Sequence, residues 1–165
     1  MEETYDIALA TEHDLDAVLD LQERNLPKNG GTLSARLSRG WFETAMAAMP
    51  VVVARRAGRL VGYLVSAPVA AFTEVSVVQA MLEAYRGASD AYIYGPICVD
   101  EIERGQGVAN AMFASLRAQL PGREGILFIR CDNAASLRAH GRMGMCEVAK
   151  FYHNGTQFVV LSYVG

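Results

Sequence analysis

The stretch VDEIERGQGVANAMFASL, residues 99–116, places two glycines between an arginine and a run whose apolar residues have helical spacing. The apolar segment Ala91–Val99 before it predicts a strand. Ala109, Met112, Phe113, Leu116 and Leu120 form one stripe of a predicted helix over Val108–Leu120, which Pro121-Gly122 ends. Glycine lets main chain approach a ligand closely or take a positive φ. A strand–glycine loop–helix passage also delivers the unpaired N–H groups and positive dipole end of a helix N-terminus, which suit a phosphate or diphosphate. Two familiar anion loops are excluded. A P-loop needs Gly-Lys-Ser/Thr after four residues, which does not follow Gly105. A dinucleotide fingerprint needs a third glycine or alanine where Asn110 stands, and it belongs to the first strand of its domain. A turn without a ligand stays open beside an anion site of another kind.

Working outward, Tyr5–Ala10 predicts a first strand, and Thr11 to Asp14 a cap for a helix whose Leu15, Val18, Leu19, Gln22 and Leu26 share a face. Pro27 to Gly31 breaks that helix. A second helical region is expected from Leu33 to Met49, interrupted at Gly40. Residues 51–67, VVVARRAGRLVGYLVSA, predict two covered strands around a tight Ala57-Gly58 turn. A short helix is expected within 68–90, from the spacing of Val75, Val78, Leu82 and Tyr85. Gly125–Cys131 predicts a strand and Ala134–Met143 a helix. Cys146–Tyr152 and Gln157–Tyr163 then form a hairpin around Asn154-Gly155. The order β-α-α-β-β-(α)-β-α-β-α-β-β predicts an α/β (α+β) fold, a mixed central sheet of about seven strands with helices on both faces, in one domain over 1–165.

The 165 residues are enough to bury a core, and 52% of them are apolar and 20% charged. A net charge of −3 and the lack of a basic run argue against nucleic acid or an anionic membrane as partner. No basic-then-apolar leader opens the chain, and no apolar run reaches membrane-spanning length. Cys98, Cys131 and Cys146 lack metal-ligand spacing and lie in or beside apolar runs, so buried free thiols, a reducing cytoplasm and no metal are expected.

The loop segment resembles the acetyl-coenzyme A loop of the GNAT superfamily of N-acetyltransferases, Arg/Gln-x-x-Gly-x-Gly/Ala, here Arg104 to Ala109. About thirty residues on, NAASLRAHGRMGM (133–145) is similar to the superfamily's next motif, an asparagine, a helix and a Gly-aromatic pair. LQERNLP (21–27) resembles one bacterial branch. Three positions depart from the pattern: Glu101 replaces a frequent proline, Gly144-Met145 replaces Gly-Phe, and His140 stands where many members place tyrosine.

The resemblance implies that the backbone N–H groups of Gln106, Gly107, Val108 and Ala109 receive the coenzyme A diphosphate, with Gly105 in the loop and Arg104 closing it. It implies that Ile97, Cys98 and Val99 run beside the pantetheine arm, the Ile97 N–H facing the thioester carbonyl as a preformed oxyanion donor. Asn133 is expected to tie the cofactor arm to the next helix, or to cap that helix, or both. His140 is the candidate acid for the departing thiolate, against a half-exposed helical histidine with no chemical role. No general base is legible: Ile93 occupies the usual carboxylate position, and Tyr92, Tyr94, Glu74 and Asp90 are its neighbours. Asn25–Thr32 and the insertion 68–90 are expected around the acceptor, although the insertion equally fits a homodimer contact.

The implied activity is acetyl transfer from acetyl-CoA to the amine of a small molecule or to an exposed α-amino group of a peptide. A non-catalytic acyl-CoA-binding sensor is the alternative, and a dinucleotide-binding domain a third.

Overall fold

A computed structural model describes residues 4–31, 33 and 36–165. Its strands are β1 (Asp6–Leu9), β2 (Val51–Arg56), β3 (Arg59–Pro68), β4 (Tyr92–Val99), β5 (Glu124–Arg130), β6 (Cys146–His153) and β7 (Thr156–Val164). Its α-helices are α1 (Leu15–Arg24), α2 (Arg39–Ala48), α3 (Ser76–Ala84), α4 (Val108–Gln119) and α5 (Ala134–Arg142). The strands form one mixed sheet in the order β1-β2-β3-β4-β5-β7-β6. The chain gathers into two compact units, Met1–Ala67 with Gly95–Gln119, and Pro68–Tyr94 with Leu120–Gly165.

In the first unit β1, β2 and β3 are antiparallel neighbours. The β2–β3 hairpin turns through Ala57 and Gly58, both at positive φ (51° and 77°), the backbone that a two-residue turn needs to match strand twist. Val51, Val53, Tyr63 and Val65 pack with Leu15, Val18 and Leu21 of α1 and Phe42 and Ala45 of α2 in one core. Val52 and Ala54 are also fully buried, and strand alternation turns them to the other face, the side on which α4 meets β1 and β2. Residues buried on both faces explain why this hairpin is an unbroken apolar run rather than an alternating one.

The second unit is built on β5, β6 and β7, antiparallel in the order β5-β7-β6, with Tyr92 and Ile93 of β4 paired in parallel to Gly125 and Ile126. Phe128, Phe151 and Phe158 pack ring on ring across these strands. The β6–β7 turn has Asn154 and Gly155 at positive φ, as the Asn-Gly pair predicts. Buried Glu124 accepts hydrogen bonds from the Tyr85 hydroxyl (2.7 Å), the Ala88 N–H (2.6 Å) and the Ser162 hydroxyl, fastening the 85–88 segment to β5.

Four expectations change. The helix expected from Leu33 begins at Arg39, because the Ser38 hydroxyl caps it by accepting the Trp41 N–H (3.1 Å); Gly40 then sits in the first turn and interrupts nothing. Ser34 and Ala35 of the expected helix, and Thr32 of the expected acceptor segment, lie outside the described residues. The buried face of α3 is Val77, Val78 and Met81, since Val75 is spent as the residue before the helix. Among the cysteines, Cys98 is buried but Cys131 is half-buried and Cys146 exposed; Cys146 opens β6, the outermost strand of its unit, whose side chains are mostly exposed.

Candidate functional site

The glycine loop lies in the first unit. Gly105 (φ 77°) and Gly107 (φ 85°) both adopt the left-handed region, and a Cβ at either would meet nothing within 4 Å. The glycines are thus required by backbone conformation, not by crowding, and their bare main chain faces open space. The Gly107 carbonyl accepts the Ala111 N–H (3.0 Å), so α4 is wound from its first residue. The N–H groups of its opening turn have no carbonyl one turn earlier to bond. Val108 is buried and fixes the helix start, while Ala109 is half-buried.

What holds this loop is mostly charge. Asp100, 4% exposed, receives Arg59 (3.0 Å), Arg24 (3.2 Å) and the Ile102 N–H (3.3 Å). Burial alone would raise its carboxyl, but these partners outweigh burial and hold it below the usual carboxylate range. Glu103, equally buried, receives the Tyr5 hydroxyl (2.7 Å) and Arg56 (3.0 Å), and the hydroxyl is the main reason its carboxyl is lowered. Tyr5 also donates toward Gln106 Oε1 (3.1 Å), whose amide nitrogen reaches the Ile102 carbonyl (3.4 Å). The Arg104 guanidinium donates to the Val99 carbonyl (3.3 Å) and to Asn25 Oδ1 (2.6 Å).

Along β4, Cys98 turns inward: its thiol is buried in the α1–α2 core and its burial pushes the thiol up to about 12. Cys98 therefore has only its backbone to offer a ligand. Ile97 and Val99, half-buried, face the opposite way by strand alternation. Gly95 (φ 108°) and a cis Gly95–Pro96 bond precede them.

In the second unit Asn133 caps α5, its Oδ1 accepting the Ser136 N–H (3.2 Å), so the capping role expected of it is filled. His140, about two turns further, is not half-exposed; it is 4% exposed. Its Nδ1 lies 2.8 Å from the Ser136 carbonyl, which can only accept, so Nδ1 carries a proton. Its Nε2 lies 3.0 Å from the Tyr94 hydroxyl, which donates to it when the ring is neutral. The two rings meet edge to face, with centroids 5.5 Å apart. Burial lowers the imidazole from its ordinary value, so His140 is neutral near pH 7. Tyr94 is buried and its hydroxyl strongly raised by burial, hence a donor and not an anion. The sequence offers Tyr94 only as one of two tyrosines beside the usual carboxylate position. Tyr92 bonds the Tyr163 hydroxyl, and the Asp90 carbonyl receives Arg123 (2.8 Å).

The chain is matched over residues 15–145 by the model of the acetyltransferase (GNAT) family. No curated protein matches it. Solved structures are similar in fold. A putative acetyltransferase, yncA, from Salmonella typhimurium, determined with its cofactor acetyl-CoA, has TM-score 0.72 at 15% identity, covering 98% of this chain and 94% of that one. Arabidopsis thaliana NAA60 in complex with a bisubstrate analogue has TM-score 0.72 at 18% identity, covering 98% of both chains. A ribosomal-protein-alanine N-acetyltransferase from Brucella melitensis has TM-score 0.69 at 22% identity, covering 97% and 99%. The family match runs from the first residue of α1 through Met145, takes in both the glycine loop and the α5 motif, and the chain belongs to the acetyltransferase (GNAT) family.

Proposed function

We propose that this acetyltransferase moves the acetyl group of acetyl-CoA to the primary amine of a small molecule or to an exposed α-amino group, within one functional domain. The observation that carries the reading is the pair of left-handed glycines that bare the main chain at the start of α4. That cradle fits a diphosphate: small, open, rich in N–H donors and at the positive end of a helix. Acetyl-CoA supplies an activated thioester there. Gln106, Gly107, Val108 and Ala109 bind through their N–H groups, and Gly105 gives the turn its shape. Arg104 closes the loop. Ile97, Cys98 and Val99 offer β4 backbone to the pantetheine arm, and the Ile97 N–H polarises the thioester carbonyl; one such donor is worth about 3 kcal/mol of barrier. Asn133 orders the start of α5. His140 takes up on Nε2 the proton that the amine sheds as its nitrogen bonds the carbonyl carbon, then returns it to the thiolate as the carbon–sulfur bond breaks.

The yncA structure, with acetyl-CoA named as its cofactor, supports the donor. The Brucella enzyme, named for a ribosomal-protein alanine, supports an α-amino acceptor as one of the two classes. The test adds acetyl-CoA and a panel of amines, amino acids and peptides to the purified chain. Stabilisation against heat by acetyl-CoA and release of free thiol with at least one amine are expected. Stabilisation with no thiol release from any amine would replace the transferase reading with an acyl-CoA sensor. Stabilisation by NAD and not by acetyl-CoA would remove both.

A further inference from the structure

The acids and bases around the loop divide unevenly. Asp100 and Glu103 are each matched by arginines from α1, β2 or β3. Arg104 instead rests on two neutral oxygens, the Val99 carbonyl (3.3 Å) and Asn25 Oδ1 (2.6 Å). A neutral acceptor fixes a guanidinium without cancelling its charge. Arg104 thus keeps a full positive charge beside the bare N–H groups, pointing in a direction that Asn25 decides.

Asn25 is built for that task. It ends α1 and is 6% exposed, and its amide nitrogen donates to the Leu21 carbonyl (2.9 Å), which leaves Oδ1 aimed at Arg104. Its own carbonyl accepts the Leu33 N–H (3.3 Å). Gly31 passes so close that a Cβ there would lie 1.8 Å from the same carbonyl oxygen, so only glycine fits the return of the chain around Asn25. We infer that Asn25 is a positioning residue for acetyl-CoA binding: it holds the Arg104 guanidinium against the end of β4, setting the shape and charge of the diphosphate loop without touching the ligand.

This rests on the loop assignment above, and binding to the intact chain separates the two. Titration calorimetry with acetyl-CoA would compare wild type, Asn25→Ala, Arg104→Met and the double variant. Asn25→Ala should raise Kd about tenfold, the scale of one lost hydrogen bond to a charged group. The double variant should bind no worse than Arg104→Met, because Asn25 then has nothing left to hold. The loss in Asn25→Ala should appear in KM for acetyl-CoA more than in turnover at saturating acetyl-CoA. Equal Kd in Asn25→Ala and wild type overturns the inference, as does an Asn25→Ala penalty that persists in full when Arg104 is Met. Arg104→Lys tests the same point on an exposed side chain: it keeps the charge but cannot span both oxygens, so Kd should again rise, and binding equal to wild type overturns the inference. A wild-type chain that does not bind acetyl-CoA removes the loop assignment itself.

Discussion

At the scale of one residue, His140 is decided by which oxygens its two nitrogens meet. The Ser136 carbonyl takes the Nδ1 proton, so any proton His140 exchanges must pass through Nε2, and Nε2 faces the Tyr94 hydroxyl. If His140 takes the attacking amine's proton on Nε2 and returns it to the departing thiolate, His140→Phe should lower turnover on the order of 100-fold while Kd for acetyl-CoA stays within about twofold. Tyr94→Phe keeps the edge-to-face ring contact but strips Nε2 of its partner, and it should reproduce most of that loss if the proton travels by way of the hydroxyl. Steady-state rates for the two variants and the wild type settle it. Turnover undiminished in His140→Phe removes the acid role; loss in His140→Phe but not in Tyr94→Phe leaves His140 acting without its tyrosine.

At the scale of one element, the start of α4 invites a matched comparison. Gly107 and Gly155 share the left-handed backbone, at φ 85° and 77°, and a Cβ at either meets nothing within 4 Å. Valine at either position should therefore cost a similar backbone strain, about 1–2 kcal/mol, or a few degrees of melting temperature. If the loop receives the diphosphate as proposed, only Gly107→Val should abolish acetyl-CoA binding, because only there would the side chain crowd the ligand; Gly155→Val, in the β6–β7 turn, should bind as wild type does. Loss of binding in both would mean that strain, not occupation of the cradle, does the damage. Elements of this kind are legible in sequence because their signals are local: Ala57-Gly58 and Asn154-Gly155 each state their turn, and the stripe Met112, Phe113 and Leu116 states its helix. The start of α2 is less legible, since Leu33 extends the apolar pattern upstream while the Ser38 cap, a single hydroxyl, decides where winding begins. The candidate site divides the same way. Its loop is a contiguous motif, whereas Tyr94 and His140, or Asn25 and Arg104, lie far apart in the chain and meet only once the strands and helices are in register.

At the scale of the whole molecule, both units bury groups whose protonation works against folding as the pH falls. Burial lowers His140 below its ordinary value. Hydrogen bonds hold Asp100, Glu103 and Glu124 below the ordinary carboxylate range, against the desolvation that opposes them. A group with a depressed value in the folded state binds its proton more readily once unfolded, so its contribution is present above the unfolded pKa and lost as pH falls through the folded one. His140 acts first, below about pH 6.5, and the three carboxylates follow below about pH 4.5. Melting temperature should therefore decline in two stages on acidification from pH 7.5 to pH 3.5. His140→Phe, with no imidazole to protonate, should flatten the stage between pH 7 and pH 5 and leave the acid stage in place. Thermal melts of the two proteins across that range check the assignment; an equal decline in both between pH 7 and pH 5 would mean that the imidazole is as free to take a proton in the folded chain as in the unfolded one, contrary to its burial between Ser136 and Tyr94.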